Sequence, residues 1–239
     1  MTTMATGKPA VQARTISLTR ILLLCGAIAG PLFIFVVLIQ DYSRPGFDPR
    51  IHMLSQLSLG DGGWVQVTNF VLAGVLNLLY AVGLWRRLHP GRGGTWGPIF
   101  IAAYGLGLVA VGIFRTDPSH GYPPGLPTPT QPSWHNIIHS LGGLYVFVML
   151  AIALAVFTRF FLSRKEYWWG CYCLLSAVLL LIVFFGGFTS AALMPGALRL
   201  GTLIGWMGAS MIAIKLLTSL DPVTHFQENQ GDRVASVSI

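Results

Sequence analysis

Six long apolar runs leave this chain very few folds to choose from. They lie at residues 19–39, 64–84, 96–114, 134–158, 168–188 and 199–217, and each is long enough as a helix to cross a hydrocarbon core of about 30 Å. A backbone in hydrocarbon must satisfy its own N–H and C=O groups, so such runs become helices. Four of them begin with tryptophan (Trp64, Trp96, Trp134 and Trp168), a residue that favours the boundary between hydrocarbon and water. With only 10% charged residues and a mean hydropathy of +0.67, the chain lies well outside globular averages. It reads as an all-α, polytopic integral membrane protein of six transmembrane helices, placed in the cell membrane, with the lipid bilayer as its first partner.

The first run follows Lys8, Arg14 and Arg20 as a secretory signal would, but it continues ten residues beyond the small triplet Ala27-Ile28-Ala29. That is longer than a signal's apolar region usually runs, so it is read as a retained helix. The domain reading is a six-helix unit at 19–217 between disordered cytoplasmic ends at 1–18 and 218–239. With the N-terminus inside, eleven Lys and Arg residues fall on the inner side and four outside, namely Arg44, Arg50, Arg115 and Arg199. This bias predicts an N-in, C-in topology. The net charge of +7 follows from that topology and from anionic inner-leaflet lipids, and calls for no nucleic-acid partner. Cys25, Cys171 and Cys173 avoid the outer loops and read as packing residues.

Within the spans, Gly105 with Ala102 and Ala103, and Gly201, Gly205 and Gly208 with Ala209, form stripes of small residues that suit close helix packing. Pro31 is expected to kink the first helix. Asn69 and Asn77 are expected to hydrogen-bond between helices. No Asp, Glu, Lys or Arg lies mid-span, which argues against a proton-coupled carrier.

The polar residues gather in the loops that follow helices 1 and 3. Residues 53–60 are amphipathic and read as a short interfacial helix ending at Gly60. Six prolines between Arg115 and Ser133 predict an ordered lid rather than a slack tether. Ser133 suits the N-cap of helix 4. That places His135 and His139 on one helix face, four residues apart, where a pair can chelate a divalent metal such as zinc with Asp117 or His120 as a further ligand. The arginines Arg44, Arg50 and Arg115 stand opposite Asp41, Asp48, Asp61 and Asp117, so ion pairing that pins the loops is the simpler use of these charges.

The strings Arg44-Pro45-Gly46-Phe47-Asp48-Pro49 with His52, Ser55-Gln56-Leu57-Ser58-Leu59-Gly60, Phe114-Arg115-Thr116-Asp117-Pro118, Gly121-Tyr122-Pro123-Pro124-Gly125, and His135 with His139 together resemble the bacterial membrane family catalogued as domain of unknown function 998. The resemblance covers most of residues 20–217. It implies a six-helix membrane protein and carries over no activity or catalytic residue. A chemical likeness to zinc-dependent membrane hydrolases of the ceramidase type rests on Ser55, Asp117, His52, His135 and His139, but the helix count and the place of the His pair both depart from that pattern.

Three functions stay open on these residues. The favoured one is an extracytoplasmic polar pocket, formed by Arg44, His52, Arg115, Asp117 and His120, that binds a small molecule or lipid headgroup. A metal-dependent hydrolase would place the ion on His135, His139 and Asp117 and use its bound water against an ester or amide. A scaffold or accessory subunit would use the same residues only to lock the loops.

Overall fold

The computed structural model describes residues 8–220, with side chains from Ser17 onward. The parts of the expected disordered ends at 1–7 and 221–239 lie outside the described residues. Six helices follow in order: α1 (Lys8–Ser43), α2 (Gly63–Leu88), α3 (Arg92–Ile113), α4 (Trp134–Ser163), α5 (Tyr167–Gly187) and α6 (Met194–Thr218). All six are long and apolar enough to cross a membrane, and no strand occurs among the described residues. The chain is a multi-pass, all-α membrane protein.

Each helix packs on the next in the chain, and α6 returns to α1, so the six close into a ring. Small residues set how closely neighbours approach. A Cβ on Gly74 would sit 2.6 Å from the Gly105 carbonyl oxygen, and one on Gly105 would sit 2.8 Å from that of Gly74. The backbones of α2 and α3 therefore touch, as small-residue crossings allow. In α6, Gly205 and Gly208 receive the side chains of Leu150 and Leu154 from α4. Where the ring is tightest, its interior is filled by fully buried groups such as Tyr80, Leu154, Phe157 and Ile212.

Two polar residues within the spans behave differently. Asn69 donates from Nδ2 to the Phe33 carbonyl at 3.1 Å and so ties α2 to α1. Asn77 instead donates to Ala73 in its own helix at 2.8 Å, so the expected bond between helices forms only at Asn69. α1 continues as one helix through Pro31.

α1 is helical from Lys8, so residues 8–18 of the expected disordered end belong to it, and α4 runs on to Ser163; two other expectations change for local reasons. α6 starts at Met194 rather than at Arg199 because Pro195 occupies its first turn, where a missing N–H costs nothing. Arg199 is thus a helix residue. The stretch at 53–60 forms a 3₁₀ turn, Leu54–Ser58, and all five of its residues are buried. It is a plug inserted at the loop end of the ring, not an interfacial helix lying on lipid.

Candidate functional site

The loops after α1 and α3 interlock into a cap over one end of the ring. Its base is an ion pair: Arg199 of α6 donates to both carboxylate oxygens of Asp41 at the end of α1, at 2.9 and 3.2 Å. The carboxylate is almost fully buried, and Arg199 also donates to the His52 carbonyl at 2.9 Å. One guanidinium therefore joins α1, α6 and the first loop.

His52, itself buried, joins the two loops. Its Nδ1 accepts from the Asp48 amide at 2.8 Å, which leaves Nε2–H to donate to the His120 carbonyl at 3.1 Å. Both bonds are satisfied by one neutral tautomer. The ring packs against Phe47 and Tyr122 with centroids 5.2 and 5.3 Å away. Gln56, without exposure to solvent, takes the Met53 amide at 2.8 Å and donates to the carbonyl and hydroxyl of Ser119 at 3.0 Å. Arg44 donates to the Leu57 and Leu59 carbonyls and to the Tyr122 hydroxyl. At Gly46, with φ +74°, a Cβ would lie 2.6 Å from Pro124, so glycine is required where the two loops meet. Asp48 pairs with Arg50 at 2.7 Å on the open surface, and the hydrogen bond from Arg50 lowers the Asp48 carboxyl to about 2.

The second loop is fixed to α4 in the same manner. Ser133 caps the helix by accepting from the Asn136 amide at 3.1 Å, and Asp117 in turn accepts from the Ser133 hydroxyl and amide at 2.6 and 2.7 Å. Asn136 accepts from the Thr116 hydroxyl at 2.9 Å.

These partners decide what the sequence-derived candidates can do. Arg44, His52 and Asp117 are committed to loop and helix bonds, and His120 contributes its carbonyl. Arg115 is exposed, and its side chain and the His120 imidazole have no partner among the described residues. The three residues expected to share a metal are not brought together on one ion. Both Asp117 oxygens serve Ser133, His135 lies against Trp134 with centroids 3.6 Å apart, and His139 donates from Nδ1 to the Phe114 and Val111 carbonyls at 2.7 and 3.2 Å. Among the described residues no three His, Cys, Asp or Glu side chains are grouped to hold a metal ion.

Beneath the cap, the ring encloses a cavity of about 450 Å³. Its walls are aromatic and aliphatic: Phe33, Phe70, Tyr104, Phe147, Phe184 and Trp206 are among its lining. No charged residue lines it; besides Tyr104 and Trp206, which carry a hydroxyl and an indole N–H, its polar residues are Ser55, Thr116, Asn136, His139, Ser140 and Thr202. The hydroxyls of Ser55, Ser140 and Thr202 donate to no described residue. The two carbonyls that hold His139 Nδ1 both accept, so the neutral ring carries its proton on Nδ1, and Nε2 keeps a lone pair without a partner among the described residues. Leu141 and Phe188 line the cavity while each remaining 62% exposed, so its opening is rimmed by apolar side chains between α4 and α5.

Of the cavity residues, only His139 and Ser55 stand out in the sequence as candidates for chemistry, both in another role, and Gly201 stands out for packing. The others carry no local signal, because Phe33, Tyr104 and Trp206 are ordinary members of apolar spans until the ring brings them together. A family model described as a protein of unknown function (DUF998) matches residues 27–220. No curated protein and no solved structure matches the chain.

Proposed function

The chain belongs to the DUF998 family of proteins of unknown function, and we propose that it binds an uncharged amphiphile whose apolar body fills the cavity beneath the cap. The observation that carries this reading is the Nε2 of His139, without a partner among the described residues, in an uncharged cavity walled mostly by aromatic and aliphatic side chains. Such a cavity, with a few convergent polar groups and a volume of about 450 Å³, has the size and character of small-molecule sites. An acceptor nitrogen beside free hydroxyls suits a ligand head that both donates and accepts, such as an alcohol or an ester bearing hydroxyls. A carboxylate or phosphate would find no cation in the lining and would lose solvation on entry. The apolar rim at Leu141 and Phe188 favours entry from the bilayer.

In this reading Arg44, His52, Asp117 and His120 hold the cap in place, and Arg115 stays at its edge. The distribution of Lys and Arg supports a cavity in the extracytoplasmic half of the cell membrane.

Thermal unfolding of the purified chain with monoolein, a neutral hydroxyl-bearing lipid, tests the proposal against Gly143→Trp. Gly143 lines the cavity, and a Cβ there meets nothing within 4 Å, so the tryptophan occludes the space without striking the backbone. Monoolein is expected to raise the melting temperature of the native chain and to leave the variant unchanged. An equal rise in both would overturn the proposal.

A further inference from the structure

At the end of the ring opposite the cap, a second cavity of about 550 Å³ lies between the start of α3 and the end of α4. Its polar character is the reverse of the first. Arg92, Arg159 and Arg164 line it, and no carboxylate does. Among the described residues none of the three forms an ion pair. The acid two residues beyond Arg164 is Glu166, and it is held by Lys215 at 3.0 Å. Arg164 lies instead over the Phe160 ring, 4.3 Å from its centroid.

The backbone strengthens the same field. Thr95 bonds to the Gly91 carbonyl at 2.9 Å in the first full turn of α3, so the amides of Arg92, Gly93 and Gly94 have no acceptor within the helix. All three residues line the cavity, where the positive end of the helix dipole adds to the guanidinium charges. A Cβ on Gly93 would lie 2.6 Å from the Phe160 ring, so glycine lets α4 pack against this turn. The remaining wall is largely apolar, with Leu88, Val156 and Phe160, and Trp96 stands half exposed at the edge, as tryptophans do at a membrane boundary.

We infer that this cavity binds the phosphodiester headgroup of an anionic phospholipid. The charged groups fit a phosphate, and the apolar wall and boundary tryptophan fit the start of acyl chains rather than a free ion; basic pockets between transmembrane helices take lipid headgroups in this way. The inference is independent of the reading given for the cavity under the cap.

Native mass spectrometry of the purified full chain tests it, with phosphatidylglycerol and phosphatidylcholine of identical acyl chains supplied in equal amounts. The native chain is expected to retain phosphatidylglycerol preferentially. Arg159→Gln combined with Arg164→Gln should lower that preference by about 25-fold, at about fivefold per basic residue near the membrane surface. Both arginines are exposed and form no ion pair among the described residues, so the double variant probes the site rather than the fold. Lys165→Gln, which removes a neighbouring charge outside the cavity, should lower it less than Arg164→Gln does. Equal retention of the two lipids, or an equal effect of Lys165→Gln, would overturn the inference. Inorganic phosphate in excess should leave the lipid bound; its displacing the lipid would overturn the lipid assignment in favour of a free phosphate.

Discussion

The cap and the cavity beneath it meet at Thr116 and Asn136, yet they use polar groups in opposite ways. In the cap, Asp41, Arg44, His52, Gln56 and Asp117 are bound to neighbouring carbonyls, amides or charges. In the cavity lining there is no charge, and the acceptor of His139 and the hydroxyls of Ser55, Ser140 and Thr202 have no partner among the described residues. The difference separates two meanings of a polar residue in a membrane protein. A charge that is fully partnered holds structure, whereas an uncharged group left open in an apolar space is available to a ligand.

That comparison can be broken from the side of the cap, where substitutions should cost stability and leave ligand affinity alone. Arg199→Met has the largest expected effect. It strands the buried Asp41 carboxylate, and loss of one member of a buried pair costs about 3 kcal/mol, read as a lowered melting temperature in detergent. Gln56→Ala comes next. It leaves the Met53 amide and the Ser119 groups without partners, a loss of about 2 kcal/mol, and hydrogen exchange at the 3₁₀ turn should accelerate. Ser133→Ala removes the cap of α4 and should cost about 1 kcal/mol, with fraying confined to the first turn of that helix. Asp48→Asn should be the smallest, because its pair with Arg50 is exposed. The folded-state pKa of Asp48 is depressed, so the pair contributes above the ordinary Asp range and its contribution fades as pH falls through about 2. Native and Asp48→Asn melting temperatures should therefore converge on acidification, while a gap that widened would contradict the assignment.

The sequence made the helices legible because hydropathy over some twenty residues reports a single strong constraint, the thickness of hydrocarbon. Residues whose roles depend on local chemistry were legible as well: Ser133 is the N-cap of α4, and the proline-rich loop is tied to the start of α4 through Asp117 and Thr116. Arg199 was harder, because a charge at the edge of an apolar run looks like the edge itself. Only the return of α6 to α1 shows that it lies inside the helix, facing Asp41. The histidine pair was legible only in part, for a related reason. Helical spacing places His135 and His139 on one face, but spacing is silent about the carbonyls of Val111 and Phe114 that engage His139 from α3. The cavity was the least legible part. Its walls come from all six helices and from the plug at Leu54–Ser58, and aromatic residues in apolar spans look alike until the ring closes.

The most direct test of the division between cap and cavity is the monoolein affinity of two variants measured side by side, His139→Asn and Arg115→Gln. Asparagine keeps a donor toward the Phe114 carbonyl in place of Nδ1–H and removes the open acceptor at Nε2, while Arg115 is the charged ligand candidate of the cap whose side chain has no partner among the described residues. Affinity is predicted to fall about fivefold in His139→Asn, as the loss of one hydrogen bond of about 1 kcal/mol implies, and to stay unchanged in Arg115→Gln. A loss in Arg115→Gln with native affinity in His139→Asn would contradict it and return the ligand to the charged loops.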